Sequence, residues 1–353
     1  MFQPKYVITH LLLGNIKRIY SLVQSLNQHR FPEVVLVELQ KAAEAVSAYA
    51  STSIEGNPLP LTDVKAILKN IPENIRDSER EVLNYNEILK DLNRKLEKGP
   101  IPVTLDLISF IQKKVTQKLL PPYQSGKLRV DPVFVNDPRE RQTIYWPPDA
   151  QDVPAFMKDL IRFVEANKNK IDPLILAGLF HKQMVVIHPF MDGNGRTTRL
   201  VTKVILADMG LNTFNLFSFE NYYNQNITRY FEMVGVRGNY YDIVEQIDFT
   251  AWLEYFTGGI IDELLRVEKT LPTVSVSPQA QLKPYHKKIV EFITQNGYIT
   301  DRDYAALVNR ARPTRRLDFN KLIELGLIVR EGKGKNTYYV LKENNRFGNL
   351  QIS

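Results

Sequence analysis

His188-Pro189-Phe190-Met191-Asp192-Gly193-Asn194-Gly195-Arg196 is the stretch on which the reading of this 353-residue chain turns. A potential base stands before a proline, a carboxylate follows four positions later, and a Gly-Asn-Gly turn leads into an arginine, with Arg199 three residues on. Upstream, Asp172-Pro173 reads as an N-cap followed by proline at the first helical position. The segment Leu174 to Ile187 is apolar at nearly every position, which describes a buried helix. Pro189 biases His188 away from the right-handed helical region, so that helix should stop there. Gly193 and Gly195 permit backbone conformations closed to other residues. From Arg196 to Met209 the pattern is helical again, with Gly210 placed as its C-cap. The expectation is a tight loop between two helices.

Such a loop suits a polyphosphate. Backbone N–H groups at Gly193, Asn194 and Gly195 would face an anion at a helix N-terminus. Arg196 and Arg199 lie one turn apart on one helix face, and arginine can grip phosphate oxygens with two parallel hydrogen bonds. Asp192 is suited to Mg2+, which keeps several waters and uses one or two carboxylates plus substrate phosphates. His188 can take a proton from an attacking hydroxyl. A dinucleotide fingerprint is disfavoured, because the third glycine is missing and a proline interrupts the supposed strand–turn. There is no GxxxxGK(S/T) run, so this is not a P-loop.

At every defined position the stretch resembles the signature of the Fic family, HPFx(D/E)GNGRxxR, and the similarity extends over most of residues 30–265. Fic proteins typically transfer AMP from ATP to a hydroxyl side chain of a target protein. The resemblance implies His188 as general base and Asp192 as Mg2+ ligand. Gly193, Asn194 and Gly195 become the anion hole, Arg196 and Arg199 phosphate contacts, and Thr197 and Thr198 parts of the nucleotide-binding run.

Length and composition agree with an intracellular multi-domain enzyme, and the resemblance implies ATP as its substrate and Mg2+ as its cofactor. At this length two or three domains are expected. The absence of cysteine excludes a disulfide framework, and five histidines without cysteine argue against structural zinc. The first residues, Met1-Phe2-Gln3-Pro4-Lys5, lack a signal-peptide pattern and no apolar run is long enough for a bilayer, so the expected location is cytoplasmic, without a membrane partner. The net charge is +7, and from Lys283 onward fourteen Lys or Arg stand against seven Asp or Glu, which accounts for all of it. A basic tail on a neutral body suggests a separate module.

Leu11–Leu26 and Glu33–Ala50 have helical periodicity, separated by Arg30-Phe31-Pro32. The second helix runs into Ser51-Thr52-Ser53-Ile54-Glu55-Gly56-Asn57, where Gly56 can cap it and Pro58 stops it. By composition alone this is a capped surface helix. Through the resemblance, Ser51, Glu55 and Gly56 match the Fic inhibitory motif (S/T)xxxE(G/N). In the family that glutamate reaches the second motif arginine and displaces the ATP γ-phosphate; the pairing expected for Glu55 in this chain is with Arg196. Val133-Phe134-Val135, a polar turn at Asn136-Asp137-Pro138-Arg139, and Thr143-Ile144-Tyr145-Trp146-Pro147-Pro148 read as a hairpin. That is either an ordinary edge hairpin or, by resemblance, the flap that holds a target by strand pairing through Thr143, Ile144 and Tyr145. The family often carries a histidine in the preceding helix, where this chain has residues 112–118 without one. Phe219–Val234 reads as an aromatic amphipathic helix. The resemblance places Tyr230, and less well Asn226, at the nucleotide.

The segment Val267–Pro284, with Pro272 and Pro278, reads as a linker. Tyr285–Gln295, Asp301–Val308 and Pro313–Leu325 then read as three short helices, and Val329–Glu331 and Thr337–Leu341 flank the basic turn Gly332-Lys333-Gly334-Lys335. This order is similar to a winged helix, with Arg312, Arg315 and Arg316 starting the groove-reading helix. The expected chain is mainly α: residues 1–100 helical with the inhibitory helix, 101–266 a Fic-fold core with a small β-hairpin flap, 267–284 a linker, and 285–343 a winged-helix-like domain. The expected partner is a target protein, and DNA through the last domain, a docked protein, or a homodimer stay open. Two rivals to AMP transfer also stay open: removal of AMP from a target, with Glu55 positioning water, and a nucleotide-sensing DNA-binding regulator.

Overall fold

A computed structural model describes residues 2–28, 33–137, 142–207, 217–275 and 282–342, and the chain is mainly α. The expected separator at residues 30–32, the hairpin turn at Pro138 and Arg139, Gly210 and Pro278 lie outside the described residues. The chain divides into two compact units, one of residues 1–28 and 42–268, the other of residues 29–41 and 269–353.

Helices α1 (His10–Gln28), α2 (Glu33–Ile54), α3 (Leu61–Lys69), α4 (Asp77–Leu96) and α5 (Leu105–Val115) come first. The hairpin β1 (Val135–Asp137) and β2 (Gln142–Trp146) follows. Next come α6 (Val153–Asn167), α7 (Pro173–Ile187), α8 (Asn194–Ala207), α9 (Phe219–Gln225), α10 (Ile227–Val234), β3 (Gly238–Asn239), α11 (Tyr240–Ile243) and α12 (Thr250–Ser275).

The core of the first unit is built on α7. Asp172 caps it, its carboxylate accepting from the Leu174 N–H at 2.9 Å, and Pro173 supplies a preset first helical residue. Nearly every side chain from Leu174 to Ile187 is buried, so the helix is apolar all round rather than amphipathic. Helix α12 crosses it closely at Gly178: a Cβ there would lie 2.6 Å from Leu253 Cδ2, and the Trp252 indole donates to the Gly178 carbonyl at 2.8 Å. The small sheet has the order β1-β2-β3, antiparallel between β1 and β2 and parallel between β2 and β3, with Tyr145 opposite Gly238 and Trp146 opposite Asn239.

Two expectations change. Phe219–Val234 is two helices broken at Asn226, which leaves the helical region (φ −145°, ψ 76°) and caps α10 by accepting from the Arg229 N–H at 3.0 Å. A short polar side chain that bonds the backbone locally favours such a cap over a helix interior. The expected linker is helical through Ser275, because buried Ile260, Leu264 and Val267 continue the apolar stripe of α12 as far as residue 267; Pro272 lies in its last turn, at the loss of one helical hydrogen bond.

The second unit contains α13 (Pro284–Asn296), α14 (Asp301–Leu307), α15 (Arg312–Glu324) and the antiparallel hairpin β4 (Ile328–Glu331) and β5 (Tyr338–Leu341). Gly297 (φ +83°) ends α13 in the left-handed region, and Thr300 caps α14. Ile299 pairs with Tyr339 through two 2.9 Å backbone bonds, and the Tyr339 ring stacks on Phe319 at 4.0 Å in a core shared with Ile289, Ile293 and Leu322. Among the described residues no helix is long and apolar enough to cross a membrane.

Candidate active site

The signature forms the loop between α7 and α8. His188 ends α7 in the left-handed region (φ +50°); the following proline disfavours the right-handed helical conformation there, so the helix stops at this residue. Asn194 then staples the loop shut: its Oδ1 accepts from the Phe190 N–H at 2.9 Å and its Nδ2 donates to the Phe190 carbonyl at 2.8 Å. Gly193 stands at φ +77°, and a Cβ there would press to 2.9 Å from Thr116 Cγ2, so both backbone and space demand glycine. The Asn194 side chain is thereby spent on the fold, and what it offers an anion is its backbone N–H. First-turn N–H groups of α8 have no partner within the helix. The Gly193 N–H is held by Asp192 Oδ1 at 2.6 Å. Thr197 and Thr198 are fully buried, and the Thr198 hydroxyl donates to the Asn194 carbonyl at 2.8 Å.

The His188 ring touches the Val185 carbonyl through Nδ1 at 3.4 Å. A carbonyl can only accept, so that nitrogen carries the proton and the lone pair remains on Nε2. Burial pushes the His188 pKa below the ordinary value, with the Val185 bond and nearby Glu55 pulling the other way. The ring is therefore neutral, as a base must be, at neutral pH. Its backbone is fixed by a residue the sequence did not reveal. Arg129 is buried; its Nε donates to the His188 carbonyl at 2.8 Å, its backbone N–H to the Pro189 carbonyl at 2.9 Å, and its Nη2 to the Pro148 carbonyl. Gln112, in the helix where the family's histidine is missing, donates through Nε2 to the Asp192 carbonyl at 3.0 Å.

Each motif arginine is already paired. Arg199 Nη2 bonds Glu55 Oε1 at 2.7 Å and the Ser51 carbonyl at 2.8 Å, and its Nε bonds Ser51 Oγ at 2.8 Å. Burial is the largest influence and works against this charge, but Glu55 together with the nearby Tyr230 and Tyr85 holds the guanidinium above its usual pKa. Arg196 pairs elsewhere, with Glu81 of α4 at 2.6 Å through Nη1 and with both Asp192 oxygens at 3.0 Å through Nη2. The expected Glu55–Arg196 pair is thus corrected to Glu55–Arg199. The last turn of α2 lies over Gly195 and Arg199, as the Gly195 surroundings show, and α4 takes the other arginine. Gly56 (φ +92°) closes α2 as a C-cap, so the capping and motif roles coexist in one turn.

Behind this face runs a buried polar network that sequence reasoning missed. Glu220 is fully buried and accepts from the Tyr85 hydroxyl at 2.8 Å and from Ser218 at 3.2 Å, with Lys203 Nζ at 3.3 Å; Lys203 also donates to Ser47 at 2.9 Å. Ser47 and Ser51 of α2 and Glu55 just past its end recur every four residues, a visible sign of one polar stripe facing α8. Tyr230 is buried, stacks on Tyr223 at 4.5 Å, and its hydroxyl meets His181 Nε2 at 3.1 Å; burial raises its pKa to about 12. Asn226 serves as the cap of α10.

In the hairpin, Tyr145 is buried with its hydroxyl donating to the Val186 carbonyl at 2.8 Å, and Thr143 donates to Asn136 Oδ1 at 2.8 Å. Strand β2 is the middle strand: at Tyr145 both of its edges are taken, Trp146 pairs with β3 alone, and the edge facing away from β1 is left at Gln142–Ile144. This narrows the expected docking run, because β3 already fills the place an added strand would take at Tyr145.

Among the described residues no three His, Asp or Glu side chains converge to hold a metal. Asp192, half exposed beside the α8 N-terminus, fits a cation that takes one carboxylate and draws its other ligands from phosphates and water.

Residues 102–206 match the Fic/DOC family model. The chain is 33% identical over 166 residues to protein adenylyltransferase Fic of Nematostella vectensis, covering 46% of this chain and 37% of that protein. It is 27% identical over 217 residues to the protein of the same name in Drosophila melanogaster, covering 56% and 42%. The chain thus spans about two fifths of the length of the curated relatives it matches. Among solved structures, a Fic family protein from Desulfovibrio desulfuricans aligns over 97% of this chain and 98% of its own with a TM-score of 0.65 at 22% identity. Fic-1 of Caenorhabditis elegans aligns over 74% and 73% with a TM-score of 0.59, also at 22% identity. At such identity the likeness is one of fold.

Proposed function

We propose that this chain, which carries a Fic domain over residues 102–206, is a protein adenylyltransferase that moves AMP from ATP to a Ser, Thr or Tyr hydroxyl of a target protein and is held back by Glu55. The observation that carries this reading is the single loop holding a neutral His188, the open first-turn amides of α8, and two arginines whose present partners are carboxylates. Carboxylates stand where phosphates would bind.

In the proposed step His188 Nε2 takes the proton of the target hydroxyl. The hydroxyl oxygen bonds the α-phosphorus, the bond from that phosphorus to the bridging oxygen breaks, and pyrophosphate leaves with the electron pair. The α8 amides and Arg196 and Arg199 hold the phosphates in line, which is most of what phosphoryl-type transfer asks of a protein. Mg2+, with Asp192 as its protein ligand, would neutralise phosphate charge. Edge pairing on Gln142–Ile144 would hold a target segment without demanding a particular sequence. The reading supposes the ATP-rich cytoplasm.

A second reading of the same site is removal of AMP from a modified target. Glu55 favours it, because its carboxylate lies at the cradle and acts electrostatically on His188, where it could orient water. For the second unit, the order of three helices and a basic hairpin supports a winged-helix domain that contacts DNA or protein.

The test is incubation with α-labelled ATP, Mg2+ and cell lysate, alongside a previously AMP-modified target. Labelled protein bands support transfer; loss of AMP from the modified target without labelling supports the reverse. A chain that does neither, even as Glu55→Gly, refutes both.

A further inference from the structure

Glu81 lies outside the signature, on α4, yet it makes the shortest contact of either motif arginine: 2.6 Å from Oε1 to Arg196 Nη1. We propose that Glu81 is the positioning residue for Arg196, holding one edge of the guanidinium so that the other faces the phosphate cradle. This rests on the nucleotide reading above.

The two edges of Arg196 differ in kind. On the Glu81 side both partners are enclosed: the Arg196 side chain is 4% exposed and that of Glu81 15%. Glu81 is itself tied down, since Asn57 Nδ2 donates to its Oε2 at 2.6 Å and to the Ser78 carbonyl at 2.9 Å, and Asn57 Oδ1 accepts from the Leu59 N–H at 3.1 Å. The residue is carried by the 20-residue helix α4. On the other side, Nη2 meets Asp192, whose side chain is 49% exposed. One partner is built into the fold, and the other is free to turn to a cation or to water.

That asymmetry separates Glu81 from Glu55, although both are carboxylates on motif arginines. Glu55 follows the last residue of its helix, is 27% exposed, and fills space beside Gly195 that a phosphate would need. Displacing it opens the cradle. Displacing Glu81 would instead strand a buried arginine and let it swing. A bidentate clamp misplaced by about 1 Å can lose two orders of magnitude of function. Glu81 therefore gives up some positive potential at the site in return for a fixed direction of Arg196.

The experiment measures ATP affinity by calorimetry on full-length chain in the Glu55→Gly background, together with KM and kcat for labelling. Glu81→Ala should weaken ATP binding and raise KM by about 10–100-fold, with a smaller change in kcat. Glu81→Gln keeps length and an acceptor for Arg196 and should stay within about threefold of the parent. Glu81→Asp keeps the charge but pulls it back by one methylene, and should fall between the two. A merely electrostatic role would make Gln the worse of these two conservative changes, and a braking role would make Glu81→Ala faster than its parent; either result overturns the proposal. So does unaltered ATP affinity in Glu81→Ala and Glu81→Asp when the parent binds. Failure of the Glu55→Gly parent itself to bind ATP overturns the nucleotide reading along with this one.

Discussion

The Glu55 Oε1 atom accepts from Arg199 Nη2 at 2.7 Å and stands 2.1 Å from the point a Cβ on Gly195 would occupy. Arg199 Nη1, buried and without a partner among the described residues, lies 2.9 Å from the same point. The glycine that lets a phosphate approach the first turn of α8 is thus also what lets the carboxylate in. An acidic side chain occupies the cradle, and a donor already faces it.

That arrangement makes Glu55→Gly an activating change. It removes the carboxylate and leaves Arg199 to a phosphate. Labelling of target or self from α-labelled ATP should rise above wild type, and the double change Glu55→Gly with His188→Ala should label near zero. Arg199→Ala should not copy the activation, since clamp and brake disappear together. Equal labelling by wild type and Glu55→Gly would leave Glu55 as part of a helix cap and nothing more.

The base sets the pH profile. Burial lowers the pKa of His188, and the neutral ring is the working form. Transfer by Glu55→Gly should therefore be flat through neutral pH and fall on the acid side, with a midpoint below the ordinary histidine value of about 6.5. His188→Ala should retain ATP binding and lose transfer by about 10²–10⁴-fold. A midpoint above about 7 would mean that a charged neighbour, not burial, governs the ring.

The loop between α7 and α8 was legible because its determinants are adjacent in sequence: a proline after His188, glycines at turn positions, an N-cap at Asp172. Ser51 and Glu55 were legible as a spacing. Their partner was not, because choosing between Arg196 and Arg199 requires knowing which helix crosses each face of α8. Glu81, Arg129 and Gln112 reach the loop from 115, 59 and 80 residues away by the pairs they form, and no local pattern marks them. The break at Asn226 was hidden for the opposite reason. Aromatic residues on both sides continue the helical period, and a single side-chain cap overrides it.

The network behind the arginines should matter to stability. Lys203 is the cation beside fully buried Glu220, at 3.3 Å. Lys203→Met keeps the bulk and removes the charge, leaving Glu220 with hydroxyl donors alone. Breaking a buried pair from one side costs about 3–5 kcal/mol. Urea unfolding at neutral pH should show a destabilisation of that order, and the double change Lys203→Met with Glu220→Gln should recover part of it. A value under about 1 kcal/mol would show that the Tyr85 and Ser218 hydroxyls suffice for the carboxylate.

The second unit separates its arginines by role. Arg315 donates to Asp301 through Nε at 2.9 Å and Nη2 at 2.8 Å, and that pair lowers the Asp301 pKa chiefly through the side-chain bond. It braces α14 against α15, which weakens the expectation that Arg315 reads a groove. Arg312, Arg316 and Lys333 are exposed on α15 and the hairpin turn. If this unit binds duplex DNA, retention should fall steeply with salt. Replacing Arg316 or Lys333 by alanine should then reduce the slope of log affinity against log salt by about 0.9 for each phosphate no longer neutralised. Arg315→Ala should act differently, lowering the melting temperature while changing the slope less. Transfer of AMP to an acceptor in the first unit should survive all three changes. Filter binding at low and moderate salt distinguishes the cases. No retention even at low salt would assign this surface to a protein partner, and an equal slope change for Arg315→Ala would return that residue to the interface.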